Sequence, residues 1–174
     1  MRSSVWLWKL VGFAFTSLFG TLLHFLYEWL GEPLWITPFS GVNESTFEHM
    51  KLMLWPMLIF AVIQSFFFKE RADFWWIKLC GILLSLSLIP LLFYTYNGVI
   101  GKSPDLVNIA IFFISAAVAY CFELRLFKRE DKGGGRERLA IFSLCLIAAL
   151  FVIFTFNTPK LEIFKDPVTG SYGL

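Results

Sequence analysis

Apolar residues run through this chain in five long blocks, which short polar or charged stretches separate. A helix that crosses a membrane needs about 20 consecutive, mostly apolar residues, and each block has roughly that length. The pattern therefore predicts an all-α bundle of five transmembrane helices that forms a single membrane domain over residues 1–174. The predicted spans are residues 5–30, 47–68, 74–96, 106–122 and 139–156.

The composition agrees with this pattern and limits the classes of partner that the protein is expected to bind. Apolar residues make up 57% of the chain and charged residues 16%, whereas charged residues are about 25% of an ordinary soluble domain. The predicted partner is therefore the lipid bilayer of a cell membrane, and the net charge of +2 is too small to predict nucleic-acid binding. Cys80, Cys121 and Cys145 lie in apolar blocks, without the spacing of a disulfide framework or a zinc site.

The basic residues are unevenly divided between the two ends of the predicted spans. Of the 15 Lys and Arg residues, only Lys51, Lys102, Lys160 and Lys165 lie on the side of the C-terminal tail. Basic residues collect on the cytoplasmic side of a membrane. We therefore expect the N-terminus in the cytoplasm and the C-terminal tail outside it, as an odd number of spans allows.

A polar stripe runs down the first span. Ser17, Thr21, His24 and Glu28 are spaced by four, three and four residues, so they share one helical face. His24 and Glu28 are close enough in sequence to hydrogen-bond or to share a ligand. We expect the stripe to face the bundle interior, where it either forms a functional site or packs helices through polar contacts.

Residues 43–51 lead directly into the second span and are rich in ionisable groups. Ser45 and Glu48 have the spacing of a capping box, in which Ser45 accepts from the N–H of Glu48 and the Glu48 carboxylate accepts from the N–H of Ser45. Lys51 either extends outward or pairs with Glu48. Capping explains neither His49 nor Lys51, so both are functional candidates.

Further polar residues lie where the third span ends and the fourth begins, on the same predicted outer side. Polar groups from several spans therefore converge at one end of the bundle, which predicts an outer-facing polar pocket. The candidate ligand-binding residues are His24, Glu28, Asn43, Glu44, Glu48, His49, Lys51, Tyr94, Asn97 and Asn108.

Three functions fit such a pocket. The first is binding of a small polar or amphipathic ligand or a partner. The second is an outer-leaflet hydrolase or transferase that acts on a lipid-linked substrate, with Glu48 and His49 as catalytic candidates. The third is a structural or assembly protein whose polar groups only fasten the helices together.

A divalent metal ion is the candidate cofactor of the enzyme hypothesis. Two histidines and nearby carboxylates are chemically sufficient ligands for zinc or a similar ion. Their spacing differs from the His-Glu-x-x-His signature. The candidate metal ligands are His24, Glu28, Glu48 and His49.

The tail of residues 157–174 contains Asp-Pro and Thr-Gly pairs, which are typical of turns. A chain terminus is flexible by default. Ile163, Phe164, Tyr172 and Leu174 would also suit a lid folded over the outer mouth of the bundle. Both interpretations remain open at this point.

Three runs of the sequence are distinctive in combination. They are His24-Phe25-x-Tyr27-x-Trp29, Asn43-Glu44-Ser45-x-x-Glu48-His49-x-Lys51 and Asp166-Pro167-x-Thr169-Gly170-x-Tyr172-Gly173. Together they resemble a family of small bacterial multi-pass membrane proteins that is catalogued as a domain of unknown function. The resemblance extends from about Gly20 to the end of the chain. It implies a bacterial origin and a cytoplasmic-membrane address, and it brings no activity or catalytic residue with it.

Overall fold

A computed structural model describes residues 2–101, 104–131 and 133–174 of the protein. Within these ranges, five helices are long and apolar enough to cross a membrane, and no β-strand is formed. The prediction of an all-helical chain with five helices of spanning length is confirmed for this part of the chain. The helices are α1 (Arg2–Trp29), α2 (Thr46–Ser65), α3 (Phe74–Ile100), α4 (Asp105–Phe127) and α5 (Glu137–Phe156). Lys102 and Lys132, which entered the charge comparison, lie outside the described residues.

The helix limits differ most from the predicted spans in α3 and α4. α3 continues past residue 96 to Ile100, and α4 continues past residue 122 to Phe127. The predicted fourth span stops at residue 122, directly before the charged residue Glu123. The helix passes through this residue because the bundle buries its carboxylate completely.

The five helices alternate in direction along the bundle. Helix α1 packs on α2 and α4, while α3 packs on α2, α4 and α5. We call the end where α1, α3 and α5 begin the amino end, and the end where they finish the carboxyl end. Fully buried Met53, Leu54, Ile82, Ala116 and Ala119 form the centre of the core.

Glycines let α1 approach its neighbours closely. A Cβ atom added to Gly12 would lie 2.6 Å from the rings of both Phe60 and Tyr120. One added to Gly20 would lie 3.0 Å from the backbone oxygen of Leu52. Pro56 lacks the N–H that this oxygen would accept in a regular helix. Small residues at helix crossings are the usual means of close packing in membranes.

At the amino end, Arg71 ties the α2–α3 turn to the end of α4. Its guanidinium donates to the backbone oxygens of Phe127 at 3.2 Å and Arg129 at 3.1 Å, and it forms an ion pair with Asp73 at 2.5 Å. The last carbonyl groups of a helix have no partner within the helix. Arg71 therefore satisfies the end of α4 and holds two connectors together.

The C-terminal tail packs against the carboxyl end of the bundle. The ring of Phe164 is buried, with centroid distances of 4.6 Å to Phe47 and 5.6 Å to Phe154. Asp166 forms a turn in which its carboxylate accepts from Thr169 at 2.7 Å. Gly173 accepts a hydrogen bond from the Asn43 side chain at 3.0 Å. The tail thus covers the start of α2 and the end of α5.

Candidate functional site

A serine from the α1–α2 connector interrupts the hydrogen-bond ladder of α1. The N–H of Tyr27 donates to Ser40 Oγ at 2.9 Å, and the Ser40 hydroxyl donates to the backbone oxygen of Leu23. The N–H of Gly41 donates to the same oxygen at 3.3 Å. An inserted side chain is a known cause of helix bending. The insertion therefore fixes the connector to the turn of α1 that carries His24.

A buried ion pair holds the same connector from the α2 side. Lys51 Nζ lies 2.6 Å from Glu48 Oε2, and both side chains are buried. The Glu48 carboxylate also accepts from the N–H of Val42 at 3.0 Å, while Lys51 donates to the backbone oxygen of Thr37 at 2.6 Å. Each member of the pair thus binds one point of the connector backbone, which stabilises its path across the bundle.

Half of the predicted capping box is present. The N–H of Glu48 donates to Ser45 Oγ, although the distance of 3.4 Å is long. The prediction for the Glu48 carboxylate was wrong, because Asn43 Oδ1 accepts from the N–H of Ser45 instead, at 2.9 Å. Glu48 turns inward because the buried ammonium of Lys51 requires a charge partner.

Two histidines from different helices face one carboxylate of the connector. His24 Nε2 lies 3.7 Å from Glu44 Oε1, and His49 Nε2 lies 3.7 Å from Glu44 Oε2. The two imidazole rings have a centroid distance of 5.9 Å. The Glu44 side chain is 48% exposed, whereas both histidines are partly buried. We call these three residues the His–Glu–His cluster.

The orientation of His49 determines what this cluster offers to a ligand. His49 Nδ1 lies 3.0 Å from the backbone oxygen of Ser45. A carbonyl oxygen only accepts, so Nδ1 carries the hydrogen. In the neutral imidazole, Nε2 is then an acceptor, next to the acceptor oxygens of the Glu44 carboxylate. The cluster therefore favours a group that donates hydrogen bonds.

A groove of about 220 Å³ begins at the two histidines and runs between α1, α2 and α4. Apart from the histidines and Thr21, its walls are apolar or glycine. Phe25 and Ile109 are exposed at its edges, so the groove opens on the side surface of the bundle. Its lining residues are Gly20, Thr21, His24, Phe25, His49, Leu52, Ile109, Phe112 and Phe113.

A second, much smaller chamber lies on the other side of His49, between α2, α3 and α4. Its volume of about 20 Å³ is enough for one water molecule, and its wall is partly polar. His49 and Phe112 line both cavities and separate them. The chamber is lined by Glu44, Thr46, His49, Ile89, Phe93, Asn108, Ile111 and Phe112.

Only part of the predicted ligand-binding set lines these cavities. His24, Glu44, His49 and Asn108 do so. The other six do not. Glu48 and Lys51 form the buried pair, and Asn43 binds the tail. The remaining three are Glu28, Tyr94 and Asn97, and Asn97 donates to the backbone oxygen of Phe93 at 2.8 Å.

The polar stripe of α1 does not face inward along its whole length. Glu28 is exposed, so the expected orientation is wrong for this residue. Thr21 is also exposed, but it lines the groove between α1, α2 and α4. Thr21 satisfies its hydroxyl by donating to the backbone oxygen of Ser17 at 2.8 Å. His24 faces Glu44 of the connector rather than Glu28. The insertion of Ser40 brings the connector, and with it Glu44, to the interior side of α1.

The predicted metal ligands are not gathered in one place. The structure brings His24 and His49 together, whereas Glu48 is paired with Lys51 and Glu28 is exposed. Among the residues that the structure describes, no three His, Cys, Asp or Glu side chains are arranged to hold a metal ion.

A second charged cluster, at the amino end, was missed by the sequence analysis. Lys9 Nζ and Lys78 Nζ lie 2.5 Å and 2.8 Å from the same oxygen, Glu123 Oε2. All three side chains are buried. The charge comparison counts both lysines only among the basic residues of the cytoplasmic side. The available clue was that Lys9 and Lys78 each lie four residues inside the start of a candidate span, beginning at Val5 and Phe74.

A comparison with models of protein families shows which family the chain belongs to. The model of a family of unknown function, DUF6512, matches residues 1–174. The chain belongs to this family. This match confirms the expectation from the sequence that the chain belongs to a family of unknown function. Neither the curated proteins nor the solved structures contain a match to it.

Proposed function

We propose that this DUF6512 protein is a multi-pass membrane protein that binds an amphipathic molecule in the groove between α1, α2 and α4. The observation that carries the proposal is the position of the His–Glu–His cluster at the head of a groove with apolar walls. The cluster would hold the polar head of the molecule, and the groove would hold its apolar chain.

The groove suits an acyl chain that arrives from the bilayer. Ligand sites in proteins are mostly apolar, with a few polar groups that fix orientation. Phe25 and Ile109 are exposed at the edges of the groove. In a membrane, these edges would border lipid chains. A chain could therefore enter sideways without crossing a polar surface.

The head group expected at the cluster is a hydrogen-bond donor. Glu44 offers two carboxylate oxygens, and the neutral form of the His49 imidazole offers an unprotonated Nε2, because its Nδ1 donates to the Ser45 oxygen. Hydroxyl and ammonium groups donate to such acceptors. Anionic head groups without donors would meet the negative charge of Glu44.

The binding proposal can be tested with a monoacylglycerol that carries a photoreactive diazirine in its acyl chain. In nanodiscs containing the purified protein, we expect saturable labelling of Phe25, Ile109 or Phe113. His49→Ala should weaken this labelling about tenfold, as expected for losing a hydrogen bond that contributes about 1.4 kcal/mol. Labelled peptides would be identified and quantified by mass spectrometry.

Two controls separate head-group recognition from unspecific insertion of the chain. The same lipid with both head hydroxyls methylated should label the groove weakly, and equally in wild type and His49→Ala. Phe142→Ala changes an exposed residue of α5 and should leave labelling unchanged. Equal labelling by the methylated and unmethylated lipids would refute the assignment of the head group to the cluster.

The orientation of His49 supports a second candidate, hydrolysis of an ester bound in the groove. His49 lines the groove, and because its Nδ1 donates to the Ser45 oxygen, Nε2 of the neutral imidazole is an acceptor. Nε2 would take a proton from a water molecule in the groove while the water oxygen attacks the ester carbon. The ester C–O bond would then break, and the departing alkoxide would receive the proton. Release of fatty acid and glycerol from the same samples, lost in His49→Ala, would favour this candidate.

The charge distribution supports an orientation with the amino end in the cytoplasm. Basic residues collect there, on the connectors between the helices. The residues concerned are Lys69, Arg71, Lys128, Arg129 and Arg136 of the connectors, together with Arg138 in the first turn of α5.

This orientation predicts the behaviour of reporter fusions. A reporter that is active only outside the cytoplasm should be active when fused after Leu174. The same reporter inserted at Gly135, in the α4–α5 connector, should be inactive. Measured activities in the opposite order would reverse the proposed orientation, and would place the His–Glu–His cluster on the cytoplasmic side.

A further inference from the structure

The buried Lys–Glu–Lys cluster connects three helices through one carboxylate oxygen. Lys9 of α1 and Lys78 of α3 both bind Glu123 Oε2 of α4. The other oxygen, Oε1, has no hydrogen-bond partner among the described residues. It lies against Gly81, where an added Cβ would come within 2.5 Å of it. One negative charge is thus shared by two ammonium groups.

The charges in this cluster do not balance. With all three groups ionised, the cluster carries a net charge of +1 in a fully buried place. An uncompensated buried charge is costly in a low-dielectric interior, and such groups tend to neutralise by losing a proton. Loss of one proton from either lysine would leave a neutral cluster with its hydrogen bonds to Glu123 still available.

Aromatic rings near both ammonium groups stabilise the cluster when its net charge is +1. They therefore offset part of the cost of this buried charge relative to the neutral cluster. Lys9 Nζ lies 4.0 Å from the ring centroid of Phe127. Lys78 Nζ lies 5.7 to 5.9 Å from three further ring centroids. A cation over an aromatic face is attracted by the ring, more so when it is desolvated. The three rings near the Lys78 ammonium group are those of Phe60, Phe74 and Tyr120.

The other titratable groups nearby do not supply the missing negative charge. The Tyr120 hydroxyl is bound to Thr16 Oγ1 at 2.8 Å, and Cys80 precedes the glycine that contacts Glu123. Arg71 lies on the Phe127 ring at 5.4 Å and adds positive charge. Arg136 lies 5.1 Å from the Trp76 ring. Within the described chain, no second carboxylate is in ion-pair distance of Lys9 or Lys78.

The cluster comes nearest to a described surface groove at the amino end. This groove is lined by residues of the α2–α3 turn together with Val5 and Phe127. The Phe127 ring also lies on Lys9, with 4.0 Å between Nζ and the ring centroid. Phe127 therefore connects the ammonium group of Lys9 to the wall of this groove.

We propose that the Lys9–Glu123–Lys78 cluster is a proton-binding site that takes up and releases one proton while the bundle remains folded. On release, an N–H bond of one lysine ammonium breaks, the proton passes to water in the amino-end groove, and the nitrogen keeps the electron pair. The cluster then changes from a net charge of +1 to a neutral state. Uptake reverses these steps.

Proton counting on the purified protein tests this proposal. In a titration over the pH range in which the protein remains folded, wild type should release about one proton per molecule more than Lys9→Met or Lys78→Met, because each variant leaves a neutral lysine–glutamate pair. The ionisable groups outside the cluster are the same in wild type and in these variants, so their contribution cancels in the difference. Lys165→Met removes an exposed lysine and should match wild type.

A double variant keeps the charge count and removes the exchangeable proton. Lys9→Arg/Lys78→Arg preserves both cations, and arginine does not lose its proton in proteins. It should therefore also release about one proton fewer than wild type. If wild type releases no more protons than this double variant, the cluster holds a fixed charge and the proposal is wrong. This comparison also decides the case if the methionine variants do not fold.

Discussion

Glu123→Gln is expected to lower the free energy of unfolding by about 3–5 kcal/mol, the usual cost of breaking a buried ion pair. The substitution leaves two buried ammonium groups, those of Lys9 and Lys78, without a compensating charge. Both lie on different helices from Glu123, so their repulsion would act directly on the packing of α1, α3 and α4. Unfolding of the purified protein in detergent, followed by circular dichroism at fixed pH, would measure the effect.

Two comparison variants show whether the loss comes from charge imbalance. Glu162→Gln removes an exposed carboxylate that also faces a lysine, and it should change the free energy by no more than about 0.5 kcal/mol. The triple variant Lys9→Met/Lys78→Met/Glu123→Met replaces the whole cluster by apolar side chains and should be close to wild type in stability. A triple variant as unstable as Glu123→Gln would show that the cluster stabilises through its specific contacts.

The helices could be predicted because their signal is local. A block of about 20 apolar residues in a membrane has to satisfy its backbone groups internally, and a helix does so. This requirement does not depend on how the blocks pack. All five helices were therefore predictable from the sequence, including α5, in which only a few residues are buried inside the bundle.

The buried charges could not be predicted in the same way. Lys9 and Lys78 lie about one turn inside their candidate spans, and at that depth a long side chain either extends to the interface or turns inward. Sequence position fixes the depth but not the direction. The direction depends on Glu123, which is 114 residues from Lys9 in the chain.

At the carboxyl end of the bundle, the contacts of the candidate site could likewise not be predicted from sequence position alone. Residues within 43–51 were expected to act together, but the structure divides them between two tasks. Glu44 and His49 face the cavities, whereas Glu48 and Lys51 are buried beneath them. The partner of His24 is Glu44, 20 residues away, because the connector folds back onto α1. Helical spacing alone predicts only partners within the same helix.

Lys51→Met is the second substitution with a large expected effect. It tests whether the buried Glu48–Lys51 pair supports the connector that carries Glu44, without itself belonging to the ligand site. It leaves the Glu48 carboxylate buried without its cation, which we expect to cost about 3–5 kcal/mol of the free energy of unfolding. It also removes the hydrogen bond to the Thr37 oxygen, so the connector that carries Glu44 loses one of its attachments. The same detergent unfolding experiment would measure the loss of stability.

The double variant Glu48→Gln/Lys51→Met separates the charge effect from the attachment of the connector. It removes both charges, so most of the lost stability should return, while the bond to Thr37 stays absent. If Glu44 depends on this attachment, labelling by the photoreactive monoacylglycerol should remain weaker than in wild type even though the bundle is stable. Lys165→Met, at an exposed position of the tail, should change neither measurement. Full labelling in the double variant would mean that the remaining attachments of the connector are sufficient to position Glu44, and that the ion pair contributes only to stability.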